Sequence, residues 1–185
     1  NKSILEEKKF VKQLAKKLNF AYSYFDISKS EFDSLHDSSL ENTARILRYQ
    51  KLSINAQKFN SNIILLGHTA NDSAETILFN IIRGSGLKGI EGIRKIASKK
   101  INDNQFKILR PLIDIKKDIT EKICTENFIN PIFDKSNDDY KFTRNKIRKE
   151  IIPELEDINP KVINALIKLG DIAKIKNSSE EGYVS

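Results

Sequence analysis

His68, Asp72 and Glu75 fall close together inside the stretch NIILLGHTANDSAETILFNIIRGSGLKG, residues 62–89. An imidazole and two carboxylates held over one crevice can move protons and hold charged substrates. The carboxylates are three apart, so on a helix both project from its opening turns. Arg83 follows further along the same stretch, and Gly84, Gly86, Gly89 and Gly92 crowd its exit. Glycines let a backbone turn sharply and approach a ligand closely, although GSG alone is a weak phosphate signal. Two further pairs of guanidinium groups have helical spacing: Arg45 with Arg48, and Arg144 with Arg148, the latter flanked by Asn145, Lys141 and Lys149.

The elements that must position these groups follow from period and punctuation. Residues 62–66 are too short for a buried helix and rich in Ile and Leu, which predicts a strand within a parallel sheet. From Asn71 the apolar residues Ile77, Leu78, Ile81 and Ile82 recur at helical intervals, with Asn71 or Asp72 as cap and Gly84 as the left-handed stop. Ligands of open α/β sheets bind at the carboxyl ends of strands, so the elbow at His68 and Thr69 is the expected site, with Arg83 joining it.

Upstream, Ser3 and Glu6 make a capping-box pattern before an amphipathic helix over 3–18. The aromatic run Tyr22–Ile27 reads as a second strand, and Ser38 with Glu41 as the start of a helix to about Phe59. Downstream, Ile93–Ala97 and Phe106–Leu109 are expected to pair as a hairpin across a polar loop, with Pro111 ending the second strand. Residues 116–127 read as a helix and 130–139 as a polar loop. Pro153 is expected to break the helix that carries Arg144 and Arg148. Asn159 and Pro160 cap and open a last helix to about Lys176. Strands alternating with helices, then helices alone, predict an α/β, doubly wound, mostly parallel Rossmann-like sheet with a small carboxyl-terminal helical extension. Its expected division is a nucleotide-type domain over 1–130, a helical extension over 131–177 and a frayed tail over 178–185.

Four blocks in this order, TARILRY at 43–49, GHTANDSAETILFNIIRGSGLKGI at 67–90, LRPL at 109–112 and DKSNDDYKFTRNKIRKEIIPEL at 134–155, closely resemble tRNA(Ile)-lysidine synthetases of the PP-loop ATP pyrophosphatase group. The SGGxDS loop of that group is absent from these residues, so the resemblance implies a fragment whose sheet is incomplete at its amino terminus and which is inactive alone. It implies an ATP- and Mg²⁺-dependent ligase. That ligase adenylates the wobble cytidine of a tRNA(Ile) with a CAU anticodon, and free L-lysine then displaces AMP to give lysidine. On the matching positions, Asp72 and Glu75 become candidates for the lysine or metal end of the site, with Asp72 a candidate Mg²⁺ ligand and His68 a phosphate-orienting or proton-relaying group. Arg45, Arg48 and Arg83 are expected on the substrate carboxylate or α-phosphate. Gly84, Gly86, Arg144, Asn145 and Arg148 are expected on nucleotide or tRNA phosphates. The resemblance leaves a homodimer open.

Composition is consistent with this and narrows the alternatives. A net charge of +7 over 185 residues favours a polyanionic partner. Cys124 is the sole cysteine, which excludes an internal disulfide and weighs against a cytidine thiolase needing paired cysteines; it is expected as a small core residue on a helix. A basic RNA-binding module without chemistry is the rival from another class. No apolar run reaches membrane-spanning length. Abundant Lys, Asn and Ile suit a bacterial cytoplasm or a plastid stroma.

Overall fold

The computed structural model describes residues 2–35, 39–132 and 143–181. These divide into two compact units, Asn1–Ile64 with Ala97–Ile108, and Leu65–Ile96 with Leu109–Ser185. The expected boundary near residue 130 thus falls inside the second unit.

The first unit opens with α1 (Lys2–Lys17), starting one residue before the expected cap. Its short α2 (Lys29–Ser34) is opened by a Ser28–Glu31 capping box. Then comes α3 (Leu40–Lys58), where Ser39, rather than Ser38, accepts from the Asn42 amide. Ser38 lies outside the described residues. Both α1 and α3 end on an asparagine in the left-handed region, Asn19 and Asn60, because its short polar side chain tolerates positive φ. The expected strand Tyr22–Ile27 does not form. A strand needs a ladder partner, and no described strand pairs with it. Its rings take cations instead, with Lys8 Nζ 3.7 Å from the Tyr24 centroid and Lys58 Nζ 5.4 Å from that of Phe25.

The sheet has the order β1 (Ile63–Leu65), β3 (Asn104–Leu109), β2 (Ile96–Ile101). The amide of Lys107 donates to Asn62 O, and that of Leu66 to Leu109 O, so β1 and β3 advance together and are parallel. Arg110 N donates to Lys95 O, which fixes β2 and β3 as an antiparallel hairpin. The hairpin is longer than expected and its loop shorter: Asn102 and Asp103, at φ 46° and 65°, make a two-residue turn whose twist matches the strands. Inward-facing Ile101, Phe106 and Ile108 are buried, as are Leu47 and Tyr49 on α3.

In the second unit α4 (Ala70–Ile82) follows β1 directly. Gly84, at φ 72°, ends it in a Schellman turn, with Gly84 N bonded to Ile81 O and Ser85 N to Asn80 O. A 3₁₀ turn at Gly89–Glu91 leads to the hairpin, and α5 (Lys117–Glu126) follows it. Cys124 on α5 is half-buried rather than a core residue. Then α6 (Thr143–Lys146) runs into a π-helical turn, Ile147–Ile151, which continues as α7 (Ile152–Ile158). Pro153 therefore does not break the helix. It lacks an amide donor, and the wider turn, with Ile152 N bonded to Ile147 O, accommodates its ring. The last helix, α8 (Val162–Glu181), starts two residues beyond Pro160 rather than at it, because Asn159 Oδ1 accepts from Lys161 N in a turn before the helix, and it runs past the expected end at Lys176. Ala70, Ala74, Ile147, Ile152 and Ile163 form the core of this unit. The expected polar loop at 130–139 and Lys141 lie largely or wholly outside the described residues. Among the described residues, no helix is long and apolar enough to cross a membrane.

Candidate functional site

The site lies where β1 gives way to α4. Thr69 is the N-cap, displacing the expected Asn71 or Asp72. Its amide and hydroxyl both donate to Asp72 Oδ2, at 2.7 and 2.8 Å, so one oxygen of that carboxylate is engaged in shaping the elbow. Asn71 turns elsewhere and accepts from the Lys117 amide at the start of α5.

Glu75 is 5% exposed, and a carboxylate so far from water must be paired. Its partner is Arg148, which donates from Nε and Nη2 to the two oxygens at 2.7 Å each. The same Nη2 lies 3.5 Å from Asp72 Oδ1, a looser contact. Hydrogen bonding to Glu75 raises the Arg148 pKa above its ordinary value, so the guanidinium stays charged. One turn before, Arg144 lies 5.5 Å from the Phe79 ring, and Arg83 lies 5.2 Å from the same ring. Asp72, Glu75 and Phe79 fall on one stripe of α4, which Arg83 continues at the C-cap. The four-residue step from Arg148 back to Arg144 matches the step from Glu75 to Phe79, so the two helices run antiparallel along that stripe.

Helical geometry separates the two ends of this stripe. Arg83 is eleven residues beyond Asp72, roughly 16 Å along the axis at 1.5 Å per residue. Arg83 therefore does not join the elbow. Gly84 and Gly86 share its end, where the helix carbonyls gather partial negative charge, a poor place to hold a phosphate.

His68 is held by a residue that sequence reasoning passed over. Arg110 donates from Nε to His68 Nδ1 at 3.1 Å and from Nη1 to Arg94 O at 2.7 Å, and is itself 8% exposed. An acceptor Nδ1 carries no hydrogen, so the N–H is on Nε2. The LRPL block was the only sequence signal for Arg110, since no spacing rule links residues 42 apart. Glu91 was also missed. Buried at 5% exposure, it accepts from Arg94 Nη2 at 2.7 Å and from Asn177 Nδ2 at 2.7 Å, tying the 3₁₀ turn to α8. Arg94, then Asn177, hold its carboxyl below the usual range.

The second unit thus brings together His68, Asp72, Glu75, Arg148 and Arg110, with Asn145 half-buried on α6. Arg45 and Arg48 are exposed residues of α3 in the first unit. The acids as placed do not fit a Mg²⁺ ion: Thr69 occupies one oxygen of Asp72, and the Arg148 cation already faces both carboxylates. Among the described residues no cluster of three His, Cys, Asp or Glu side chains could hold a metal.

A parallel strand, a polar elbow and an ion-paired helix start define a class, and comparison with known proteins gives it a name. The chain belongs to the PP-loop domain family, which it matches over residues 2–155. More particularly, it is similar to proteins called tRNA(Ile)-lysidine synthase. That of Thermosipho africanus is 39% identical over 163 residues, covering 88% of this chain and 36% of the relative. That of Clostridioides difficile is 34% identical over 169 residues, covering 91% and 35%. That of Nostoc is 40% identical over 134 residues, covering 71% and 38%. The chain spans about a third of the length of these relatives. Among solved structures, the U34-tRNA thiolase NcsA of Methanococcus maripaludis, with its [4Fe-4S] cluster, matches at a TM-score of 0.63 and 12% identity. The match covers 92% of this chain and 57% of the thiolase. That likeness is one of fold, and with the PP-loop match it bears out the Rossmann-like α/β expectation.

Proposed function

We propose that these residues belong to an ATP-dependent ligase joining the side-chain amine of free L-lysine to the wobble cytidine of tRNA(Ile) with a CAU anticodon. The observation that supports this reading is the similarity to the three lysidine synthases, at 34–40% identity over 71–91% of this chain. In the proposed course, the cytidine base oxygen attacks the α-phosphorus of ATP and pyrophosphate leaves. The lysine amine then attacks the adenylated carbon, losing a proton as AMP departs with the bonding electrons.

The chain's own groups suit the second step. Asp72 Oδ1 has only the loose 3.5 Å contact with Arg148, so an ammonium group can bind there while Glu75 keeps its two short bonds. In this reading His68, its Nδ1 occupied by Arg110, orients a phosphate through its Nε2 N–H, and the departing proton passes to water. A bacterial cytoplasm or a plastid stroma would suit such an enzyme.

The test is a chimera in which residues 2–155 replace the matching segment of the Thermosipho africanus relative. Given CAU tRNA(Ile), ATP and labelled lysine, it is expected to place lysine on the tRNA and release AMP and pyrophosphate. A chimera with a normal thermal melt that transfers no lysine, or that transfers sulfur, would overturn the reading.

A further inference from the structure

The first unit contains a cavity of about 270 Å³ between α3 and the hairpin turn. Its lining includes Arg45, Lys99 and Lys100, and none of the lining residues is acidic. Arg45 and Lys99 approach one aromatic ring: the guanidinium carbon is 5.9 Å and the ammonium nitrogen 5.1 Å from the centroid of Tyr49, which is 5% exposed. Two cations around one ring repel each other, and an anion seated between them relieves that repulsion. Lys100 is partly answered by Asp103 at 3.0 Å, so Arg45 and Lys99 are the stronger claimants on an anion. The remaining wall is of another kind. Ile46 and Tyr49 give an apolar surface, while the side-chain amides of Asn42 and Gln50 can both donate and accept hydrogen bonds.

Cations at the mouth, whose Arg45 guanidinium plane can stack on a base, an apolar wall at Ile46 and side-chain amides together match one unpaired nucleotide: phosphate, base face and base edge. A base within a duplex has its faces stacked and its Watson–Crick edge paired, so duplexes are disfavoured. We propose that this cavity takes a single unstacked nucleotide of single-stranded RNA, gripping the substrate loop at a place separate from the elbow. As an account of tRNA binding it rests on the ligase reading, yet it is measurable without any ligation.

The experiment is fluorescence anisotropy of a short labelled single-stranded RNA on the whole 185-residue chain. Three proteins are compared: the wild type, the Arg45→Ala/Lys99→Ala double variant, and Lys107→Ala. All three side chains are exposed, so the core is untouched. Lys107 is on the same hairpin, with the opposite strand parity, and serves as the charge control. The double variant is expected to weaken binding by about tenfold and to flatten the salt dependence by about 0.7 in log–log slope, for the one phosphate the two cations share. Lys107→Ala is expected to bind as wild type, and an abasic RNA more weakly than the intact strand. Equal affinity of wild type and double variant would overturn the proposal. So would equal affinity for abasic and intact RNA, which would reduce the cavity to a bare phosphate patch. If the double variant loses RNA while the chimera transfers no lysine, the ligase reading fails and the nucleotide site stands; the reverse pattern sinks the site alone.

Discussion

Glu75 and Arg148 are 73 residues apart in sequence and share two 2.7 Å bonds around a carboxylate that is almost out of water. Truncating Arg148 to Ala leaves that charge unpaired. The expected loss is about 2–4 kcal/mol, at or just below the range for fully buried pairs because Arg148 retains some exposure, and urea unfolding would measure it. Arg148→Lys is expected to recover only part, since an ammonium cannot reproduce the two-pronged contact. Glu91 makes a different prediction, because its folded pKa is held below the ordinary value. Such a group contributes stability above the ordinary glutamate pKa, and that contribution is lost as pH falls through the lowered folded value. Glu91→Gln should therefore melt below the wild type at pH 7. The gap between their melting temperatures should narrow as pH drops below about 4.5. A gap that stays constant to pH 3 would show that the Glu91 carboxylate contributes nothing through its charge.

Elements were legible where period and punctuation agreed, and illegible where long-range pairing decided. The β1–elbow–α4 unit could be read because its apolar spacing switches from strand to helix at His68, and Gly84 marks the stop. Tyr22–Ile27 has strand-forming residues but no ladder partner among the described strands, and propensity without pairing does not make a strand. Pro153 was misjudged because no local rule foresees a π-turn that accommodates the ring. Among the site residues, Asp72 and Glu75 could be read from their i, i+3 spacing, whereas Arg110 could not be tied to His68 because the chain joins them only through the sheet. Two substitutions test the turns themselves. Gly92 has φ 72°, and a Cβ there would lie 2.8 Å from Ser73 Oγ and 2.9 Å from Ile77 Cδ1. Gly92→Ala is expected to cost about 2 kcal/mol or more in thermal or urea unfolding. Phe128 is the converse case, a 92% exposed aromatic residue in the left-handed region at φ 56°, where it closes α5. Phe128→Gly is expected to stabilise the fold by about 0.5–1 kcal/mol, since the strain relieved outweighs the freedom gained by the unfolded chain.

At the scale of the whole molecule, a chain of net charge +7 holds the buried Glu75–Arg148 pair in one unit and a cationic cavity in the other. The proposed ligase would need both functions, one to hold a small cationic amino acid and one to grip a polyanion. Charge alone would equally have suited a solvated lysine-rich surface, which is why the buried Glu75–Arg148 pair and the Arg45–Tyr49–Lys99 arrangement carry more weight than pI. The most direct measurement of the central claim is the KM for lysine of the chimera with Asp72→Asn, read beside ATP-dependent pyrophosphate release. Loss of a charge-assisted contact is expected to raise that KM by about tenfold or more while pyrophosphate is still released. A lysine KM unchanged by Asp72→Asn, in a chimera that still ligates, would contradict the assignment of the elbow as the amino-acid site.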